Sequence, residues 1–148
     1  MTDTPIRNWL TELKEVYEDI AMKRPASAEA IASASESVGA LPPELAEFYS
    51  VSNGLECRSF NLLPVLDQPV RKTWNSIQRA NAPATTEALG RDEELLSRFL
   101  VFADIGQGYA FIERRTGKIW FEELGQGQVS ETDLTFREFV ELMVKNAE

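Results

Sequence analysis

Carboxylates are the side chains of this sequence best suited to chemistry, and several of them come close together along the chain. They form three clusters: Asp92-Glu93-Glu94, Glu122-Glu123, and Glu131 with Asp133. A catalytic pair needs two carboxyl groups held across a cleft, with environments that push their pKa values apart. Adjacency at exposed ends of helices or strands does not supply that arrangement. We therefore interpret these acids as solvated charge and predict no catalytic residue.

The chain of 148 residues contains no histidine and a single cysteine, Cys57. The lack of histidine removes Ser-His and Cys-His nucleophilic pairs, the usual general base near neutral pH, and most catalytic zinc sites. One cysteine excludes an internal disulfide and any multi-cysteine metal site, so we expect Cys57 to be a small buried hydrophobe. We predict no metal, no cofactor and no enzymatic activity; a hydrolase that works with carboxylates is the alternative.

Two glycine pairs invite comparison with phosphate-binding loops. Gly106-x-Gly108 lacks the third glycine of the dinucleotide fingerprint and precedes a strand rather than a helix. Gly125-x-Gly127 is not followed by the Gly-Lys-Ser/Thr of a Walker loop. Neither pair predicts a nucleotide site.

The formal net charge is −9, from 24 acidic and 15 basic side chains. Contact with phosphates needs a basic surface, so direct nucleic-acid binding is disfavoured. The acidic excess lies in residues 1–60 and 99–148, whereas residues 61–98 are balanced. This excess serves either solubility or the steering of a basic partner.

Length and hydropathy limit the number of domains and the cellular location that the sequence predicts. Its length is typical of one domain, so we predict a single domain over residues 1–148. The first ten residues, MTDTPIRNWL, have no basic segment followed by an apolar one, and no apolar run approaches about 18 residues. We predict a cytoplasmic protein without membrane contact, as a monomer or weak dimer.

The first part of the chain predicts two helices before residue 40. Thr4-Pro5 is typical of a helix start, and Pro25 ends a helix of about five turns. Ser27 predicts the cap of a second helix, with Gly39 as its C′ residue. The apolar stripe of the first helix comprises Ile6, Trp9, Leu10, Leu13, Val16, Tyr17 and Ile20, and that of the second comprises Ile31, Ala34 and Val38.

The stretch LPPELAEFYSVSNGLE (41–56) predicts a third helix and its exit. Leu41, Leu45, Phe48 and Tyr49 have helical spacing, and the two prolines stand where a helix begins. Asn-Gly also occurs in β-hairpins, but a hairpin needs alternating apolar residues on both sides, and the preceding side lacks them. We therefore predict that Asn53 or Gly54 takes the left-handed conformation that closes the helix.

The remainder predicts strands and a final helix. Residues 55–63 are compatible with one or two strands broken near Ser59 or Asn61, and FLVFAD (99–104) is typical of a buried strand. YAFIERR and KIWFEE predict a hairpin joined at Thr116-Gly117, followed by a loop, GQGQVSETDL. Thr135 and Glu138 predict a capping box that opens the last helix. The order predicts an α+β fold: a central mixed or antiparallel sheet flanked by about four to six helices.

Residues 65–98 give weaker signals. Val70, Trp74 and Ile77 suggest a helical turn or two, and Ala82 to Thr86 indicate a loop. Asp92 is a candidate cap for a short helix that carries Leu95, Leu96 and Phe99.

Alternation along the predicted hairpin raises the question of where Trp120 lies. Ile119 and Phe121 share one face of their strand, and Trp120 points to the other. Trp120 therefore belongs either to a second packed face or to an exposed contact surface, where tryptophan is enriched. We hypothesise that Glu122 and Glu123, beside a glycine loop, form part of an acidic binding edge.

The stretch 41–56 resembles the Leu-Pro helix and Asn-Gly exit of the SUKH superfamily, which groups yeast cell-wall-synthesis regulators, bacterial Syd proteins and many bacterial immunity proteins. FLVFADIGQGYAFIERRTGKIWF (99–121) and the Phe-x-x-Phe-Val of 136–140 are similar to the rest of its pattern. The chain departs from that pattern at Ala103-Asp104, where a glycine commonly follows the aromatic residue. The motif residues that we interpret as architectural are Leu41, Pro42, Tyr49, Asn53 and Gly54.

This resemblance implies an α+β domain with a central mixed sheet and no catalytic machinery. It also implies a protein-binding role, most often that of an immunity protein that neutralises a toxin such as a nuclease. An acidic inhibitor suits a nuclease because a nuclease carries a basic surface for its own substrate. The alternative is a regulatory interaction module without a toxin partner. The candidate partner-binding residues are Glu56, Asp67, Asp104, Trp120, Glu122 and Glu123.

Overall fold

The computed structural model describes residues 5–66, 76–89, 91, 94–106, 108–123 and 128–146. These residues form seven helices and one seven-stranded sheet, which confirms the α+β class. In chain order the elements are α1 (Ile6–Val16), β1 (Ala21–Met22), α2 (Ala28–Val38), α3 (Pro43–Val51), β2 (Leu55–Cys57), β3 (Phe60–Leu62), α4 (Ile77–Ala80), α5 (Pro83–Ala88), α6 (Leu95–Arg98), β4 (Phe99–Asp104), β5 (Tyr109–Glu113), β6 (Ile119–Glu123), β7 (Gln128–Glu131) and α7 (Phe136–Asn146).

The sheet is a meander in which each strand pairs with the next along the chain. Every pairing is antiparallel. The sheet is therefore antiparallel rather than mixed, and the mixed sheet implied by the resemblance is corrected. A meander needs no parallel crossover. Helices α2 and α3 lie in the connection between β1 and β2, and α4, α5 and α6 lie in the connection between β3 and β4.

Alternation along the strands gives the sheet two different faces. The first face packs against α1, α2, α3 and α7 in one large apolar core. Phe102 of β4 contacts the rings of Phe136 and Phe139 of α7, at centroid distances of 6.0 and 5.4 Å. The second face carries a smaller cluster built on Leu63, Phe99, Val101 and Phe111, with α4 and α6 packed over it. This division decides which polar side chains remain open to a partner.

The first helix is shorter than its apolar pattern predicts. It ends at Val16, after about three turns rather than five, and Tyr17 is already extended. Val16 is 70% exposed although the pattern assigned it to the stripe, whereas Ile20 is buried in the segment that leads to β1. The chain leaves the helix because Ala21 and Met22 pair with β2, and this tertiary pairing outweighs local periodicity. Thr4 lies outside the described residues.

The third helix has the predicted apolar face, since Leu45, Phe48 and Tyr49 are fully buried. Burial raises the pKa of the Tyr49 phenol, whose hydroxyl donates to Leu63 O at 2.6 Å. The C-cap of α3 is Ser52 and not Asn53 or Gly54. The helix therefore ends one to two residues earlier than predicted.

Asn53 and Gly54 nevertheless fix the exit from α3. The Asn53 side chain accepts from Val65 N at 2.8 Å and donates to Val65 O at 3.0 Å, so it binds the chain as a neighbouring strand would. Gly54 has φ of +102°, and a β-carbon there would lie 2.9 Å from Leu62 O. The left-handed conformation predicted for this pair is confirmed at Gly54, and β2 starts at the next residue.

Several other predictions are confirmed. Ser27 caps α2 through Ala30 N, and Cys57 is buried. The β5–β6 hairpin forms as predicted. Thr135 and Glu138 exchange the two hydrogen bonds of a capping box, at 3.0 and 3.2 Å.

Three local predictions are wrong. Residues 82–86 were predicted as a loop, but most of them belong to α5, which Pro83 starts. Phe99 opens β4 instead of closing a helix, and residues 128–131 form a strand inside the predicted loop. Pro83 occupies the first turn of α5, Phe99 pairs with Glu113 of β5, and Gln128 pairs with Glu123 of the preceding strand. Val70, Trp74 and Asp92 lie outside the described residues.

Candidate functional site

One cross-strand row runs over the second face of the sheet. The register pairs Ala21 with Glu56, and Glu56 with Asn61. It continues from Asn61 to Asp104, and from Asp104 to Tyr109. Directly paired residues point to the same face, so two of the predicted partner-binding acids share one face although 48 positions separate them in sequence.

The part of this row on β1 to β4 forms what we call the open half: Ala21, Glu56, Asn61 and Asp104. Ala21 and Glu56 are exposed, and Asn61 and Asp104 are half-buried. Neighbouring strands are about 4.8 Å apart, which places the backbones of Glu56 and Asp104 roughly 10 Å from each other. Two acids at this separation match two basic side chains of a docking protein better than a single cation.

Both acids of the open half have local contacts. Glu56 Oε2 lies 2.9 Å from Lys23 Nζ, and the two side chains are about half exposed. Asp104 Oδ1 accepts a hydrogen bond from Gly106 N at 2.8 Å, which holds the turn after β4. In both groups the second carboxylate oxygen has no hydrogen bond to the described residues.

The other half of the face, which we call the covered half, carries Arg91, Glu113, Trp120 and Glu122. Glu122 binds Arg91 with both oxygens, at 2.6 Å to Nε and 3.0 Å to Nη2. The Arg91 guanidinium lies 5.1 Å from the ring centroid of Tyr109 and 5.2 Å from that of Phe111. The Arg91 side chain is fully buried and that of Glu122 is 10% exposed, so this pair belongs to the interior.

Glu113 is the second buried acid of the covered half. Its carboxylate accepts from Arg98 Nε at 2.9 Å, Thr116 Oγ1 at 2.9 Å and Trp120 Nε1 at 3.3 Å. Burial raises the pKa of Glu113, but these hydrogen bonds and the charge of Arg98 outweigh burial and hold the pKa below its usual value. Glu113 therefore stays ionised and orients the side chains around it.

The predicted partner-binding residues thus separate into groups. Glu56 and Asp104 lie together on the open half. Trp120 and Glu122 lie on the covered half, where Trp120 is half-buried against Phe99. Asp67 lies outside the described residues, and of Glu123 only the backbone, paired with Gln128, is described.

Sequence reasoning missed Arg91 and Arg98, the two cations that make the covered half. Arg91 stacks on rings of β5, and Arg98 lies 4.9 Å from the ring centroids of both Phe99 and Trp120. Both come from the stretch with the weakest sequence signals. Nothing in local spacing reveals their partners, because 15 to 31 residues separate each cation from its acid.

Across the described ranges, no group of three or more His, Cys, Asp or Glu side chains is placed to hold a metal ion. No helix in those ranges has the length and apolar character needed to cross a membrane. What the open half offers is a pair of carboxylates that can accept hydrogen bonds from Lys or Arg.

The chain matches a known protein family. Residues 25–142 match the model of the SMI1/KNR4 family, also called SUKH-1. This range includes α3 with its exit and all of the strands except β1. No individual curated protein matches the sequence.

Proposed function

Because this chain belongs to the SMI1/KNR4 (SUKH-1) family, whose membership supports a protein-interaction domain, we propose that it binds a basic protein on the open half of its sheet. We further propose that this protein is a toxin, possessing a basic active surface, which the chain neutralises. The family is generally a non-catalytic binding domain, which agrees with a role in binding alone.

The observation that carries the proposal is the pair Glu56 and Asp104 on the open half, where Glu56 is exposed and Asp104 half-buried. Their backbones are held by strands β2 and β4, on either side of β3, so little backbone freedom is lost when a partner docks. Lys23 does not block the site: an ion pair between half-exposed side chains is worth about 0–1 kcal/mol, and a partner cation replaces it at little cost.

The charge of the whole chain favours the same kind of partner. A net charge of −9 attracts a basic protein over several ångströms and raises the rate of encounter. Nuclease toxins carry basic surfaces for their substrates, so an acidic inhibitor is complementary to them. The superfamily that residues 41–56 resemble contains immunity proteins as well as regulators, so charge complementarity, not the motif, favours a toxin partner over a regulatory one.

The test begins with affinity capture of the tagged chain from its native cells, including cells grown in contact with kin. We expect one basic protein at near-equal amounts, which is then produced alone in a laboratory host. If that protein arrests growth and the chain restores it, the immunity role holds. Several weak partners without toxicity would instead identify a regulatory module.

A matched pair of variants locates the binding face. Glu56→Lys with Asp104→Lys reverses the acids of the open half, and we expect at least tenfold weaker binding and no growth rescue. Glu29→Lys with Glu36→Lys makes the same charge change on the exposed side of α2. Equal loss of affinity in both variants would show that binding depends on the net charge of the chain and not on the open half.

A further inference from the structure

Arg98, the last residue of α6, is rigidly held yet open to solvent. Its guanidinium carbon lies 4.9 Å from the ring centroids of Phe99 and Trp120, and Glu113 accepts from its Nε at 2.9 Å. The side chain is nevertheless 57% exposed. Most exposed arginines sample many rotamers, whereas this one is fixed in one plane by two rings and a carboxylate.

The terminal nitrogens of Arg98 have unused hydrogen-bonding capacity. Glu113 engages Nε, and neither Nη1 nor Nη2 has an acceptor among the residues that the structure describes. Arg91 differs, because Glu122 binds its Nε and Nη2 and the side chain is fully buried. Of these two guanidinium groups on the covered half, Arg98 is therefore the one presented to a partner.

We propose that Arg98 and Trp120 form a receptor for an acidic side chain of the protein partner. The planar guanidinium presents adjacent N–H groups that match a carboxylate, and its fixed position reduces the entropy lost on binding. The exposed part of the Trp120 ring accepts an apolar residue next to that acid. Arginine and tryptophan are also the residue types enriched at binding hot spots.

This receptor gives the sheet two contact points of opposite sign on one face. The open half attracts basic side chains. Arg98, which lies at the opposite end of β4 from Asp104, selects partners that also place an acid about one strand length away. A uniformly basic surface satisfies only the first contact. The inference rests on the proposed protein-binding function and adds to it a determinant of specificity.

Glu113 is the positioning residue of this receptor. It holds the Arg98 and Trp120 side chains through separate oxygens, Oε2 and Oε1. Glu113→Gln removes the charge that orients Arg98 while keeping the size of the side chain. We expect weaker carboxylate binding in this variant, with Arg98 itself still present.

The direct test titrates the full chain with acetyl-Leu-Glu-Leu-amide and follows the indole N–H signal of Trp120 by NMR. We expect a saturable shift, with the glutamine peptide binding at least about fivefold more weakly because it lacks the charged acceptor. Arg98→Ala should abolish the shift. Arg98→Lys keeps the charge but lacks the planar fork, so it should also bind the glutamate peptide more weakly.

Three results with the peptides would overturn the proposal. The first is equal binding of the glutamate and glutamine peptides, and the second is glutamate binding unchanged in Arg98→Lys. The third is a phosphoserine peptide that binds far more tightly than the glutamate peptide, which would assign the receptor to phosphoproteins.

The captured partner separates this inference from the proposed function. We expect Arg98→Lys to lower its affinity for the chain at least about fivefold, through faster dissociation. If Arg98→Lys leaves that affinity within twofold while the Glu56→Lys, Asp104→Lys variant loses binding, the receptor is refuted and the proposed function stands. If neither variant affects binding but the glutamate peptide still binds through Arg98, the proposed docking face is wrong.

Discussion

The open and covered halves of the second face use the same residue type for different purposes. Among the described residues no arginine binds Glu56 or Asp104, and these acids are exposed and half-buried, respectively. Glu113 and Glu122 lie on the same face, on β5 and β6, and each is bound by an arginine from the connection before β4 or its end. A carboxylate on this face is thus part of the folded interior where an arginine binds it, and it is accessible to a partner where no described arginine does.

The largest expected effect tests whether Glu122 is structural. Glu122→Ala leaves the fully buried Arg91 without its partner, and we expect a loss of about 3–5 kcal/mol in the free energy of unfolding. Replacing both residues, Arg91→Met with Glu122→Leu, should recover most of that loss. Denaturant titration measures the free energy of unfolding of both variants. A loss below about 1 kcal/mol for Glu122→Ala would mean that Glu122 is not a structural acid.

A substitution at Gly54, in the family motif, should cost a similar amount of stability without changing any charge. Gly54→Ala places a β-carbon 2.9 Å from Leu62 O at positive φ, and we expect a loss of about 2–4 kcal/mol. Gly117→Ala is the control, because Gly117 also has positive φ but has no atom within 4 Å of the new carbon. Equal losses in the two variants would mean that α3 tolerates a shifted exit.

Glu113 gives an intermediate effect that depends on pH. Because its folded pKa is lowered, it stabilises the fold above the ordinary glutamate pKa near 4.3, and this contribution is lost as pH falls through the folded value. We expect Glu113→Gln to cost about 1–2 kcal/mol at pH 7, and the difference from the unmodified chain to shrink below about pH 4.3. A difference that is constant from pH 7 to pH 3 would contradict an ionised Glu113.

The smallest expected effect is on the open half. Glu56→Gln with Asp104→Asn keeps the hydrogen-bond acceptors and removes only charge, so stability should change by less than about 0.5 kcal/mol. The same variant should bind the partner more weakly. A large loss of stability would mean that these acids also hold the fold, and the contrast between the two halves would disappear.

Much of the architecture follows from local signals. Helix α3 is specified by its prolines and its apolar face, the β5–β6 hairpin by alternation around Thr116-Gly117, and α7 by its capping box. These signals act over a few residues, so a sequence contains them directly. The early end of α1 depends on the pairing of Ala21 with Glu56, 35 residues away, which no local pattern contains. Strand β7 pairs with the preceding strand β6, but its short polar sequence, QVSE, gives no strand signal of its own.

The candidate site was predictable only in part for the same reason. Residue type and strand position pointed to Glu56, Asp104 and Glu122 equally. Glu122 differs because Arg91, 31 residues away in sequence, binds it. Arg91 also packs on the ring of Phe111, a contact that exists only in the folded sheet. Alternation did predict that Trp120 faces away from the main core, and the structure packs it against Phe99 in the smaller cluster.

The most direct measurement of the central claim is the association of the captured partner with three forms of the chain at low and moderate salt. The forms are the unmodified chain, Glu56→Lys with Asp104→Lys, and the charge-matched control Glu29→Lys with Glu36→Lys. We predict that only the open-half variant loses at least tenfold in affinity. Equal losses in both variants, or none in either, would contradict a binding site built on the open half of the sheet.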